Sequence, residues 1–168
     1  MDNLQQKFSL LKISTSFIVA LLLAVLPLGS QLTWWRPDWI LLAMIFWLLH
    51  QPGRLSLIAL LALSVLLDSL TATPLGLHGL CLVVVFYVVS HLHRQIRMFP
   101  LTQQLLAIFI LSISYRTCLL IVMGMLNLPI HDYRFWLPCV TNTVSWPLLS
   151  YFLLRKQQQL RKKQKRFS

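Results

Sequence analysis

The chain has 168 residues, of which 57% are hydrophobic and 11% are charged, and its mean hydropathy is +0.70. A soluble domain typically carries about 25% charged residues, so this composition excludes a water-soluble globular protein. The net charge of +11 does not indicate a nucleic-acid-binding domain, because seven of the 15 basic residues lie in the last fourteen positions. Composition therefore predicts an all-α membrane protein that crosses the bilayer several times.

Apolar runs separated by proline, glycine or charged residues divide the chain into candidate membrane spans. Crossing the hydrocarbon core takes about 20 residues, so the second and third runs are short for full spans. We predict a compact bundle of about six transmembrane helices; four spans plus a re-entrant hairpin over residues 39–70 is the alternative. The runs are Ile13–Gly29, Trp39–Leu49, Leu55–Leu70, Pro74–Ser90, Leu101–Leu126 and Phe135–Leu154.

Basic residues are distributed unequally between the two sides of this bundle. With both termini in the cytoplasm, the cytoplasmic segments hold twelve basic residues and the outer loops hold only Arg36 and Arg134. This asymmetry follows the positive-inside rule and predicts that orientation. Four tryptophans then fall at the outer interface, where amphipathic rings are favoured. They are Trp34, Trp35, Trp39 and Trp136.

The same pattern divides the chain into three segments. Lys7 and Lys12 precede the first run as they would in a signal peptide, but no A-x-A-like cleavage site follows, which predicts an uncleaved helix. We predict a cytoplasmic N-terminal segment at 1–12, a single transmembrane domain at 13–154 and a basic cytoplasmic tail at 155–168. The tail is interpreted as binding anionic lipid headgroups, a protein partner, or both.

Three polar residues lie within apolar runs, where a charge near the bilayer centre costs about 2.5–3.5 kcal/mol. They are Asp68, Arg116 and Asn142. A rise of ~1.5 Å per residue places all three at a similar depth in the outer half of the bilayer. This predicts a buried Asp68–Arg116 pair with Asn142 as a further hydrogen-bond partner. In the alternative, Arg116 extends to the outer headgroups and Asp68 ends its helix near water.

Three further features have local interpretations. Thr73 is suited to cap the fourth helix, with Pro74 at the first helical position. His78 is either a ligand or proton relay, or a hydrogen-bonded core histidine, and the core interpretation is favoured. The cysteines lack paired spacing and are interpreted as small core residues. They are Cys81, Cys118 and Cys139.

The sequence lacks the patterns that usually carry catalysis or bind metals. No H-E-x-x-H, G-x-S-x-G or glycine-rich phosphate loop occurs. Only four acidic residues are available for acid–base chemistry. We therefore predict a protein that is not an enzyme and needs no metal or cofactor.

Three short motifs occur in order along the chain. R-P-D-W-I-L-L from Arg36 opens the second run, L-D-S-L-T-A-T-P-L-G-L-H-G-L from Leu67 joins the third run to the fourth, and N-T-V-S-W-P from Asn142 lies in the sixth. In this order and spacing they resemble the rod shape-determining protein MreD family, over roughly residues 13–155. The family form has a glycine in the turn after Asp68, whereas residues 69–73 have none. The candidate structural or interaction residues are Arg36, Pro37, Asp38, Asp68, Pro74, Gly76, Arg116, Asn142, Trp146 and Pro147.

The resemblance implies a non-enzymatic scaffold or adaptor of the cell-elongation machinery in the bacterial inner membrane, supporting sidewall peptidoglycan synthesis and cell shape. It implies as partners the periplasmic scaffold MreC, the actin-like MreB, a RodA-type glycosyltransferase and its class B penicillin-binding transpeptidase. It also implies a fold similar to the substrate-binding subunits of energy-coupling-factor vitamin transporters. The rival function is therefore a small-molecule-binding transporter subunit, which would enclose a polar pocket of ligand size. The few polar residues within the apolar runs favour the adaptor.

Overall fold

The computed structural model describes residues 2–26, 32–128 and 133–166, with side chains over 12–26, 34–53, 55–128 and 133–153. This part of the chain contains six α-helices and no strand, which confirms the all-α prediction. The helices are α1 (Asp2–Val25), α2 (Trp39–His50), α3 (Leu57–Leu70), α4 (Leu77–Met98), α5 (Leu101–Met125) and α6 (Leu137–Arg166). Single turns of 3₁₀ helix occur at Leu32–Trp35, Pro52–Arg54 and Tyr133–Trp136.

The starts of α2, α4 and α6 lie at the same end of the bundle as the ends of α1, α3 and α5. Asp38, directly before α2, contacts Arg116 late in α5 and Asn142 early in α6. The Arg36 side chain donates to the main-chain carbonyl of Leu23 late in α1. We call this the cavity end, after the cavity described below. The opposite end contains the α2–α3 and α4–α5 turns.

Helix α2 forms the centre of the bundle. Every residue from Ile40 to Leu49 is buried, and the helix packs against α1, α4 and α6. The Trp47 indole nitrogen donates to Ser16 Oγ of α1 at 2.6 Å. A helix buried on all sides needs no polar face, which explains an apolar sequence without helical periodicity. Its 12 residues are about 18 Å long, too short to cross a core of about 30 Å at full thickness.

A glycine allows α3 and α4 to approach closely. A β-carbon added at Gly79 would lie 2.7 Å from Ser64 Oγ of α3, well inside van der Waals distance. Ser64 is fully buried, and its hydroxyl donates to the Leu61 carbonyl of its own helix. Small residues at helix contacts are typical of membrane proteins, where close backbone packing drives helix association.

The outside of the bundle is strongly apolar. Helices α4 and α5 are long and apolar enough to cross a membrane, yet only 33% and 28% of their most apolar stretches are buried. Most of their hydrophobic surface therefore faces outward, as do large side chains on other helices. Exposing so much apolar surface to water would be unfavourable, whereas lipid tolerates it. The outward-facing side chains include Ile18, Leu22, Ile58, Val65, Val144 and Leu148.

Two helices extend beyond their predicted ends. Helix α1 begins at Asp2 rather than near Ile13, and α6 continues to Arg166 through the predicted tail. The added residues are rich in glutamine, lysine, arginine and leucine, which have high helix propensity without being apolar enough to mark a span. The two predicted terminal segments are thus continuous with the first and last helices.

Candidate functional site

A polar cluster at the cavity end joins the start of α2 to α5 and α6. Arg116 Nη2 donates to Asp38 Oδ1 at 2.6 Å, and Arg116 Nε donates to Asp38 Oδ2 at 3.3 Å. Asn142 Nδ2 donates to Asp38 Oδ2 at 3.1 Å, while Asn142 Oδ1 accepts from the Asp38 main-chain N–H at 2.7 Å. Ser112 Oγ, one turn before Arg116, lies 3.2 Å from Asn142 Nδ2.

This cluster is largely removed from solvent. Ser112 and Asn142 are fully buried, and the Arg116 and Asp38 side chains are 14% and 19% exposed. The Arg116 guanidinium also lies over the Phe135 ring, 4.9 Å from its centre. A two-pronged guanidinium–carboxylate pair with further hydrogen bonds is the arrangement that compensates best for the loss of hydration. The cluster therefore fixes three helices relative to one another.

The predicted Asp68–Arg116 pair is wrong. Arg116 pairs with Asp38, and Asp68 pairs with His78 instead. Asn142, predicted as a further hydrogen-bond partner of that pair, instead donates to the Asp38 carboxylate, as Arg116 does. The alternative is also wrong, because Asp68 is fully buried and Arg116 is held by Asp38 rather than extended.

Asp68, two residues before the end of α3, organises the turn into α4. Its carboxylate accepts from the Gly76 N–H at 2.7 Å and from the His78 N–H at 3.3 Å. The Thr73 hydroxyl donates to Asp68 Oδ1 at 3.2 Å, and His78 Nδ1 lies 2.5 Å from the same oxygen. A carboxylate at a helix start satisfies free N–H groups and interacts favourably with the helix dipole. Asp68 therefore caps α4 from another helix. His78 is hydrogen-bonded as predicted, but it is 19% exposed and lines a cavity rather than lying in the core.

This geometry changes the predicted start of the fourth helix. Helix α4 begins at Leu77, and Gly76, rather than Thr73, is its N-cap residue. Gly76 has φ +91°, a left-handed conformation that glycine adopts without strain. Ala72 also has a positive φ, of 53°, at a position where the sequence offers no glycine. The Asp68 contacts thus hold a turn in which alanine takes a conformation that usually favours glycine.

The two polar clusters lie beside a cavity of about 370 Å³. This volume falls within the range of small-ligand sites, roughly 300–1,000 Å³. The polar lining is richer than the sequence predicted, because residues from loops and turns join those of the helices. Its polar and aromatic lining residues are Trp34, Arg36, Asp38, Trp39, Thr71, Thr73, His78, Tyr115, Arg116, Arg134 and Phe135.

Arg36 lies in the loop that precedes α2, at the edge of this cavity. Its Nε donates to the Leu23 carbonyl at 3.1 Å, and one terminal nitrogen donates to the same oxygen. Partial burial lowers the pKa of Arg36, while the neighbouring Asp38 carboxylate raises it. A guanidinium starts from so high a pKa that it stays charged at neutral pH.

The remaining candidate residues have structural positions around these clusters. Pro37 lines the cavity, and its carbonyl accepts from the Trp39 N–H at 3.0 Å. The Pro74 carbonyl accepts from the Leu77 N–H at the start of α4. Trp146 is buried in the core, and Pro147 lies inside α6, where it removes one helical N–H donor.

Two features of the site were not predicted: the role of Asp38 as the partner of Arg116, and the participation of Ser112. Ser112 could have been recognised from its position, since it lies four residues before Arg116 and residues four apart share one helix face. Asp38 was interpreted only as part of a motif at the start of a span. The shortness of the second run could have indicated this role. A short buried helix can begin below the membrane surface, and Asp38 directly before it would then be buried and need a partner.

The described residues contain no group of three or more histidine, cysteine, aspartate or glutamate side chains that could hold a metal ion. Cys81 and Cys139 are buried and Cys118 is partly buried, in agreement with their predicted core positions. The two carboxylates of the site are already engaged, Asp38 with Arg116 and Asp68 with His78. The arrangement is suited to holding helices together and to presenting cationic groups to a cavity.

Comparison with known proteins agrees with the resemblance seen in the motifs. The sequence model of the family described as rod shape-determining protein MreD matches residues 5–156. The rod shape-determining protein MreD of Haemophilus influenzae (strain ATCC 51907 / DSM 11121 / KW20 / Rd) is 25% identical over 142 residues, which cover 83% of this chain and 86% of the relative. No solved structure gives a significant match. The chain therefore belongs to the rod shape-determining protein MreD family.

Proposed function

We propose that this protein is a non-enzymatic adaptor of the cell-elongation machinery in the bacterial inner membrane, where it supports sidewall peptidoglycan synthesis and cell shape. Membership of the MreD family over residues 5–156 is the observation that carries this proposal. The geometry agrees with it, since the buried polar groups are used mainly to connect helices.

The proposed partners are the periplasmic scaffold MreC, the actin-like MreB, a RodA-type glycosyltransferase and its class B penicillin-binding transpeptidase. Partners on both sides of the membrane require a chain with surfaces on both sides. The cavity end and the opposite end of the bundle supply such surfaces. Anionic lipids are proposed to bind the basic tail at 155–168, which carries seven basic residues.

Depleting the protein from rod-shaped cells is expected to turn them into spheres, because sidewall synthesis would lose its adaptor. Cell length and width are measured by phase-contrast microscopy after expression is shut off. Restoring the wild-type chain from a plasmid is the matched control and should restore rods. Cells that stay rod-shaped while losing uptake of a vitamin would contradict the adaptor role and support the transporter alternative.

We further propose six membrane crossings with both termini in the cytoplasm. Twelve basic residues lie in the terminal segments or at the opposite end, against Arg36 and Arg134 in the loops at the cavity end and Arg116 within α5. Helices α2 and α3 are short, but they still reverse the chain direction within the bundle. The fold similarity to transporter substrate-binding subunits stays a prediction from the resemblance.

Cysteine labelling tests this topology. In a background without Cys81, Cys118 and Cys139, Arg134→Cys is expected to react with a membrane-impermeant maleimide in intact spheroplasts. Arg94→Cys, an exposed position near the end of α4, is expected to react only after the membrane is opened. Labelling of Arg94→Cys in intact spheroplasts would rule out the proposed orientation.

A second candidate function is a small-molecule-binding membrane subunit of a vitamin-type transporter. The cavity of about 370 Å³ is the observation that favours it, because a transporter subunit needs a partly polar pocket of this size. The shape and uptake measurements above separate the two functions.

A further inference from the structure

The charged groups that line the cavity are unequal in number. Three arginines reach it from different parts of the chain: Arg36 from the loop before α2, Arg116 from α5 and Arg134 from the 3₁₀ turn before α6. Among the described lining residues, Asp38 is the only carboxylate. Three guanidinium groups face the Asp38 carboxylate, and Asp68 is paired with His78 behind the lining, so the wall of the cavity carries an excess of positive charge.

The excess charge resides on Arg36 and Arg134. Asp38 neutralises Arg116 directly, at 2.6 Å. Arg36 uses two of its nitrogens on the Leu23 carbonyl, and a guanidinium has five N–H donors. Arg134 is exposed and lies 6.0 Å from the centre of the Tyr133 ring. Both arginines therefore retain N–H donors for a negatively charged ligand.

The rest of the lining indicates what kind of anion would fit. Apolar and aromatic residues, among them Trp39, Leu41, Met123 and Phe135, form much of the wall. A ligand with an anionic head and an apolar body would match both parts of the cavity. The tryptophans Trp34 and Trp39 also line it, and such rings favour the headgroup level of a membrane. The abundant anion at that level is the phosphate of a phospholipid.

We propose that the cavity binds a phosphate group, held by Arg36 and Arg134 and supplied by the headgroup of an anionic lipid. A guanidinium matches phosphate oxygens in a planar, two-pronged geometry. The phosphodiester of a lipid headgroup such as phosphatidylglycerol carries one negative charge, opposite in sign to the excess charge on the lining. The Arg116–Asp38 pair forms the inner wall of the site and positions the α5 and α6 sides of the cavity. This binding site is independent of the adaptor role.

Native mass spectrometry of the full-length protein tests the site, with phosphatidylglycerol as the probe and phosphatidylcholine as the zwitterionic comparison. The wild-type protein is expected to retain phosphatidylglycerol in preference to phosphatidylcholine. The double variant Arg36→Gln/Arg134→Gln is expected to lose roughly tenfold or more in apparent affinity for phosphatidylglycerol, since each change removes one charge-assisted contact.

The basic residues at the opposite end also attract anionic lipids, so a charge-matched control is needed. Arg94→Gln/Arg97→Gln removes the same charge from two exposed positions at the opposite end. This control is expected to lose much less affinity than the cavity variant. Equal losses in the two double variants, or no loss in either, would overturn the proposed site.

A competition with inorganic phosphate identifies the source of the phosphate. Lipid retention that resists inorganic phosphate supports a headgroup site that also uses the apolar wall. If inorganic phosphate displaces the lipid from the wild type but not from the cavity variant, the phosphate site stands and a soluble ester is its ligand. Should the double variant fail to fold, Arg134→Gln carries the test, because that side chain is exposed. Unchanged lipid retention in a folded Arg134→Gln variant would then overturn the proposal.

Discussion

Replacing Asp38 by alanine is expected to destabilise the protein by about 3–5 kcal/mol, the range seen when one partner of a buried ion pair is removed. The change leaves the Arg116 guanidinium largely buried without its carboxylate, and it removes an acceptor from Asn142. Water defects in a membrane can reduce the loss. The measurement is the thermal unfolding midpoint and the folded yield of the purified protein in detergent.

The double variant Asp38→Ala/Arg116→Ala is expected to recover part of that loss, because no uncompensated charge remains. A double-mutant cycle isolates this pairwise energy from the separate effect of each side chain. The matched control is the cycle of Asp68→Ala with Arg116→Ala, whose side chains have different partners. Its losses should be additive. Additive losses for Asp38 with Arg116, or strong coupling of Asp68 with Arg116, would contradict the observed pairing.

The helices could be predicted because their signals are local. The run Trp39–Leu49 corresponds to α2 (Trp39–His50), and the run Leu101–Leu126 corresponds to α5 (Leu101–Met125). Proline and glycine residues interrupt regular structure locally, so such boundaries do not depend on the rest of the chain. The start of α1 and the end of α6 were predicted less well. Both helices continue into polar residues, where hydropathy does not distinguish helix from loop.

The partners of the buried charges could not be predicted in the same way. The similar depths of Asp68 and Arg116 suggested a pair, but depth along the membrane normal leaves the lateral position of each helix free. Arg116 lies on α5, which packs against α4 and α6, while Asp68 lies on α3, which packs against α4. Helix α4 therefore lies between them, and the side chains meet different partners.

The distance along the chain also explains the missed role of Asp38. Asp38 is 78 residues from Arg116 and 104 from Asn142, so the packing of α6 against both α2 and α5 is needed to bring them together. The contacts of Asp68 span at most ten residues. That short range made the third-to-fourth turn recognisable as a sequence motif, although its capping geometry required the structure.

Replacing Asp68 by alanine is expected to destabilise the protein by about 2–4 kcal/mol, through loss of a helix cap and of acceptors for buried donors. The Gly76 and His78 N–H groups, the Thr73 hydroxyl and the His78 ring would all lose their contact with the carboxylate. Asp68→Asn is expected to lose less, because an amide keeps one acceptor oxygen. Unfolding midpoints in detergent give the order of the variants.

Two matched substitutions separate the cap from the ring contact. Ser69→Ala changes the neighbouring, exposed residue, whose hydroxyl donates within its own helix, and it is expected to be close to neutral. His78→Ala removes the ring but leaves the main-chain N–H groups capped, so its loss should be smaller than that of Asp68→Ala. If Asp68 acts mainly through main-chain capping, Asp68→Ala also shifts amide hydrogen exchange at the start of α4. An Asp68→Ala variant as stable as Ser69→Ala would show that the carboxylate does not hold the turn between α3 and α4.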